Sequence, residues 1–282
     1  MKGKIYHPDY EIEYFEYGQG PRTMLAFHGF DNHAEDFKPL ADSLINEYKI
    51  IAVNLFFHGE SKVAEHVIEK GFHPDDLKKL FDELEKKFPA EKYSLAGYSM
   101  GGRIVLKLLE IYPEKIEEII LIAPDGIKVS PMYTFLTQTR IGKTLFRKVI
   151  KRPSVFFTTA NFLKAIKILP ENKYKFVVGN FNSHQKREKV YSVWMVFRKI
   201  LSKMEDLKSI LKKHSIDVYL FFGKYDKIIP VSIGKNFKDK IGRNFSLHVL
   251  DAGHNLMKPN TLLEISKTLV AKKNDAVKKT AS

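Results

Sequence analysis

Gly97-Tyr98-Ser99-Met100-Gly101-Gly102 sets a hydroxyl nucleophile between glycines. The apolar run Tyr93–Ala96 enters this stretch, and an amphipathic segment from Arg103 to Glu110 leaves it, which is the pattern of a strand-to-helix turn. A G-x-S-x-G turn in that context forces the serine into a strained backbone, exposes Oγ, and sets the next backbone N–H beside it. Such a hydroxyl can attack an acyl carbon once a neighbouring base removes its proton. Glycine and serine are common in loops, so the motif gains meaning only if a base, an acid and an oxyanion site follow in order.

Three further stretches meet those needs. His28-Gly29-Phe30 directly follows the apolar run Thr23–Phe27, and its turn can offer the Phe30 N–H. Together with the Met100 N–H it would hold the oxyanion of a tetrahedral intermediate. Asp226 lies in Gly223-Lys-Tyr-Asp226-Lys-Ile-Ile-Pro230, just past the run Asp217–Phe222. An aspartate there can orient an imidazole and stabilise its cation, although a loop aspartate taken alone more often caps a helix or turn. His254, in Asp251-Ala-Gly253-His254, follows the run Ser246–Leu250 and is placed to act as general base. His28 and His58 each precede a glycine and read as loop-shaping residues, with His28 also a candidate for the pocket wall. The chain has no cysteine, so thiolate metal sites, disulfides and a cysteine nucleophile are excluded. No His pair has the H-E-x-x-H spacing of a zinc site.

The elements that must carry these residues alternate. Predicted strands at Glu11–Tyr17, Thr23–Phe27, Ile50–Phe56, Tyr93–Ala96, Glu118–Ile122, Asp217–Phe222 and Ser246–Leu250 are interleaved with predicted helices at Asp36–Glu47, Pro74–Phe88, Met100–Ile111, Ser232–Ile241 and Asn260–Lys272. This is the signature of an α/β protein with a mostly parallel central sheet flanked by helices. The alternation stops after Asp125 and resumes at Ile216. The expected organisation is a core of residues 1–125 and 216–272, a helical cap of residues 126–215 inserted in it, and a flexible basic tail at 273–282. Ser130-Pro131 reads as a helix start, and Val190, Val193, Trp194, Phe197, Ile200 and Leu201 form a stripe at helical spacing.

Charge is distributed unevenly. The net charge is +14, yet residues 126–215 hold 20 Lys and Arg against 4 Asp and Glu, leaving 27 basic and 29 acidic residues elsewhere. Two readings fit a basic, apolar cap. One is a solvated lysine-rich face over helices packed on the core. The other is a site for an amphiphilic or anionic substrate, with an acyl chain against Phe135, Phe156, Phe157, Phe162 and Trp194 and the cations drawn to phosphate or an anionic lipid surface. No nucleic-acid-binding motif accompanies the charge, so nucleic acid is not an expected partner. The N-terminal residues lack an apolar signal region, and no apolar run approaches the roughly 20 residues that span a bilayer, so a cytoplasmic location is expected.

In the order Ser99, Asp226, His254, with each residue after a strand, the chain resembles the α/β-hydrolase superfamily, specifically its capped serine hydrolase and carboxylesterase-like branch. The resemblance covers essentially the whole core. It implies hydrolysis of a small-molecule carboxylic ester or thioester through an acyl-serine, with neither metal nor cofactor. Relatives run acyl transfer, C–C hydrolysis or lyase chemistry on the same triad, or bind ligands without turnover, and the resemblance leaves these open. Asp125, after Glu118–Ile122, occupies a position from which some relatives supply the acid. The chain departs from the capped subgroup's D-x-x-G-H-G-x-S segment, having Asn54-Leu55-Phe56-Phe57-His58-Gly59-Glu60-Ser61. This segment is expected to be a structural loop near the pocket.

Overall fold

Short apolar runs, buried on both faces, become the parallel strands in the computed structural model, which describes residues 1–165, 174, 179, 181–241 and 244–280. Strands β1 (Lys2–His7) and β2 (Tyr10–Tyr17) form a hairpin, and β2 continues antiparallel against β4 (Tyr48–Val53). Strands β3 (Arg22–Phe27), β4, β6 (Tyr93–Tyr98), β7 (Ile116–Ile122), β8 (Asp217–Gly223) and β9 (Phe245–Leu250) are parallel to one another. The order across the sheet is β1-β2-β4-β3-β6-β7-β8-β9, and the short β5 (Lys62–Val63) pairs with β2. This is the expected fold class, with all seven anticipated strands present. β1 was not anticipated because its lysines mask the alternation that pairing with β2 reveals.

Boundaries shift where tertiary bonds override local pattern. The strand expected over Ile50–Phe56 ends at Val53, because Asn54 turns away to bond with Glu13 and Ala34 while Leu55 and Phe56 bury their side chains from a loop. The helix expected over Asp36–Glu47 divides into a 3-10 turn, Ala34–Phe37, and α1 (Lys38–Ser43).

Side chains alternate between the two faces of the sheet, and both faces are apolar and buried. Met24, Ala26, Ile50, Ala52, Ala96, Ile120, Ile122 and Phe221 belong to one cluster with Phe37 and Leu40, and with Leu262, Ile265 and Leu269 of the C-terminal helix. Leu25, Ile51, Leu95, Leu121 and Leu220 point the other way and are equally buried. On the helical side, α3 (Pro74–Lys87) packs on α4 (Gly101–Ile111), which lies against β6.

The chain divides into two units, residues 1–62, 74–127 and 201–282 in one and residues 63–73 and 128–200 in the other. The first holds the whole parallel sheet. The second is helical: α2 (Glu65–Lys70), α5 (Pro131–Gln138), α6 (Arg140–Lys151), α7 (Pro153–Ala165) and α8 (His184–Phe197). This differs from the expected 126–215 boundary in two places. Helix α9 (Met204–Lys213) joins the sheet unit, packing on α4, and α2 joins the helical unit. The second shift has a clear cause. The buried Arg198 guanidinium donates to the carbonyls of Ile68, Glu69 and Met195, and Phe72 N–H donates to Val196 O at 2.7 Å. In the sheet unit α10 (Val231–Ile241) precedes β9, and α11 (Pro259–Thr280) ends the described chain. The expected tail at residue 273 therefore gives way to a continuing helix. Among the described residues no helix is long and apolar enough to cross a membrane.

Candidate active site

The register of the parallel strands determines which loops meet. Phe27 pairs with Gly97, Tyr98 with Ile122, Ile122 with Phe221 and Gly223 with Leu250. The loops after β3, β6, β7, β8 and β9 therefore emerge along one edge, the carboxyl edge where open α/β sheets carry their sites.

Ser99 leaves β6 with φ +47°, a left-handed conformation that a serine adopts only under constraint. Three backbone bonds supply it. Ser99 N–H donates to Ile122 O at 2.9 Å, and Ser99 O accepts from Gly102 at 2.9 Å and Asp125 at 2.8 Å. The flanking glycines are needed for closeness. A Cβ on Gly97 would stand 2.7 Å from Gly101 O, and one on Gly101 would overlap the Phe27 carbonyl.

The three residues expected to act together are brought together. Ser99 Oγ lies 3.2 Å from His254 Nε2, and His254 Nδ1 lies 2.7 Å from Asp226 Oδ2. Asp226 Oδ1 accepts from Ile228 N–H at 2.8 Å and Ile229 N–H at 2.9 Å, so the fully buried carboxylate has both oxygens engaged. An ionised carboxylate accepts only, so Nδ1 carries the imidazole proton and Nε2 is left to accept from the serine. The loops bearing Asp226 and His254 are sewn together by Lys224 N–H to Leu250 O at 2.8 Å and Tyr225 N–H to Ala252 O at 2.9 Å. Asp125, the competing acid, is occupied elsewhere. Arg103 grips its Oδ2 with Nε at 2.8 Å and Nη2 at 2.5 Å, while its own N–H braces Ser99.

Met100 caps α4, so its N–H precedes the helical hydrogen-bond ladder. The turn bearing Phe30 abuts Ser99, since a Cβ on Gly29 would stand 3.1 Å from Ser99 Cβ. His28 is wholly buried. Its Nδ1 bonds Gly29 O at 2.7 Å and its Nε2 accepts from Leu55 N–H at 2.9 Å. It shapes the turn, which replaces the expected place on a pocket wall. His58 works likewise, joining Phe56 O at 3.0 Å to Asp31 N–H at 3.0 Å.

The 54–61 segment is a structural loop. Asn54 Nδ2 donates to Glu13 Oε2 at 2.6 Å and its Oδ1 accepts from Ala34 N–H at 2.7 Å. Burial pushes the Glu13 carboxyl up, but Lys2 at 2.6 Å, Glu60 N–H and Asn54 outweigh this and hold it below the usual glutamate range.

The remaining candidates belong to the helical unit. Trp194 is half-buried between the rings of Tyr133, 5.1 Å away, and Phe146, 5.5 Å away, while Val190, Val193, Phe197 and Ile200 from its stripe are buried. Val190, Val193, Trp194 and Phe197 thus form the packing face of α8, which ends at Phe197, so Ile200 and Leu201 lie beyond the helix. Phe135 is exposed on α5 and Phe157 is half-buried on α7, whereas the side chains of Phe156 and Phe162 lie outside the described residues. Sequence reasoning missed Tyr98, whose phenol donates to His254 O at 3.1 Å, and Arg103, which secures Asp125. Burial and the Asp226 carboxylate raise the Tyr98 phenol's pKa, which keeps it a donor.

The profile of the alpha/beta hydrolase fold family matches residues 22–261, and the chain belongs to that family as a hydrolase of this fold. It is similar to the uncharacterized hydrolase YugF of Bacillus subtilis (strain 168), at 24% identity over 86% of this chain and 87% of that one. Among solved structures, a thermophilic esterase from Thermogutta terrifontis superposes with a TM-score of 0.66 at 21% identity, covering 96% of this chain and 98% of the other. A structure from a study of carboxylesterases of the thaumarchaeon Nitrososphaera gargenis gives 0.68 at 15% identity, covering 98% and 100%.

Proposed function

We propose that the protein hydrolyses a carboxylic ester or thioester through an acyl-serine. The observation that carries this reading is the unbroken relay from Ser99 Oγ through His254 to the buried Asp226 carboxylate. In the first half-reaction His254 Nε2 takes the Ser99 proton as Oγ attacks the acyl carbon. The N–H groups of Phe30 and Met100 receive the developing oxyanion. Asp226 stabilises the imidazolium, which then protonates the leaving alcohol or thiol as its bond to the acyl carbon breaks. In the second half-reaction His254 takes a proton from water, the hydroxide adds to the acyl carbon, and Ser99 leaves with the returned proton. Every proton in this cycle is carried by the chain's own imidazole.

The esterase and carboxylesterase names of the structural neighbours support the ester reading. The test is a panel of p-nitrophenyl esters and acyl-CoA thioesters of increasing chain length, with Ser99→Ala alongside. Acid release by the wild type that disappears in Ser99→Ala supports the proposal. Equal rates in the two proteins overturn it.

A further inference from the structure

The helical unit carries apolar side chains on its solvent side. Helix α6 buries Gly142, Phe146 and Ile150 at four-residue spacing, yet its outer face shows Ile141, 76% exposed, and Leu145, 46% exposed. These two line a shallow groove with Arg140, Thr144 and Lys148. Helix α5 adds Met132, 58% exposed, and Phe135, 43% exposed; the helices adjoin where Gly142 meets the Phe135 carbonyl. A solvated helix face is polar, and an aliphatic pair one turn apart calls for a covering partner.

Charge identifies the partner. Residues 126–165 contain eight Lys and Arg and no Asp or Glu. A second copy docked patch to patch would set these cations against one another with no carboxylate between them. A nucleic acid would satisfy the cations but leave Met132, Ile141 and Leu145 against a polar backbone. An anionic lipid surface meets both demands: headgroups face the cations while the apolar side chains enter the acyl boundary. We infer that the α5–α6 face of the helical unit docks on an anionic lipid surface, independently of the reaction proposed above.

The experiment is flotation of the intact protein with vesicles of phosphatidylcholine alone or mixed equally with phosphatidylglycerol, across a salt series. Binding to the mixed vesicles alone is expected, weakening as salt rises. Lys148→Gln with Lys151→Gln should weaken it by about 30-fold, from roughly five-fold per cation near the surface. Ile141→Ser with Leu145→Ser should weaken it by at least roughly ten-fold, with the salt dependence unchanged. Both double variants alter exposed residues, and unchanged circular dichroism and vesicle-free hydrolysis report an intact fold. Equal flotation with both vesicle types, or none at low salt, overturns the inference. So does full binding by the serine variant, which would mean adhesion by charge alone, or a dimer that the serine variant dissolves.

Discussion

The phenol of Tyr98 donates to the backbone carbonyl of His254 at 3.1 Å, so the residue preceding Ser99 holds the loop that carries His254. The bond spans 156 residues and links the turn after β6 to the loop after β9. Tyr98→Phe keeps the ring and removes only the donor. A bond of this kind is worth about 1 kcal/mol. The expected outcome is a kcat reduced about three- to ten-fold at nearly constant KM, because the base is less well held while substrate contacts remain. Steady-state kinetics on one ester checks this, and a change confined to KM would contradict it.

Two aspartates near Ser99 have different partners. Asp226 Oδ2 faces His254 Nδ1, whereas the Asp125 carboxylate faces Arg103. Asp226→Asn should lower kcat by roughly 10⁴-fold, since an amide at this position favours the wrong tautomer. Asp125→Asn keeps the backbone N–H that braces Ser99, and should cost less than about ten-fold while lowering thermal stability through the weakened Arg103 contact. Rates and melting temperatures of the two variants, measured side by side, separate acid from brace.

The buried Glu13 makes the stabilities of two proteins converge as pH falls. In the wild type its carboxyl is held below the ordinary glutamate range, so on acidification the unfolded chain takes up the proton first. Its contribution to stability is complete above about pH 5 and is lost as pH falls through the lowered folded value. Asn54→Asp sets a second carboxylate where the amide now donates at 2.6 Å. The pair should cost about 2–4 kcal/mol at neutral pH and share a proton on acidification, so the deficit shrinks as pH falls. Melting temperatures of both proteins from pH 7 to about pH 4 test this, and parallel curves would contradict it.

How much of this was legible in the sequence follows from distance along the chain. Ser99, Asp226 and His254 each sit in a short motif directly after an apolar run, so local pattern carries both the element and the residue. The same holds for the mostly parallel sheet implied by the alternation of strands and helices. Residues defined by remote partners left no local mark: Tyr98 reads as the variable position of the G-x-S-x-G turn, and Arg103 as one charge on an amphipathic helix. Glu13 reads as a polar strand position until Asn54, 41 residues away, bonds to it. The helical unit's boundary failed for the same reason, because α2 is tied to Arg198 across 130 residues. Asn54 itself was visible as a departure from the subgroup's pattern, but its meaning required the carboxylate it faces.

The most direct measurement is intact-protein mass spectrometry after reaction with a fluorophosphonate, followed by peptide mapping. A single adduct on Ser99 is expected, absent from Ser99→Ala and formed at least about 10³-fold more slowly in His254→Ala. An adduct on another residue, or ester hydrolysis that persists undiminished in Ser99→Ala, would contradict it.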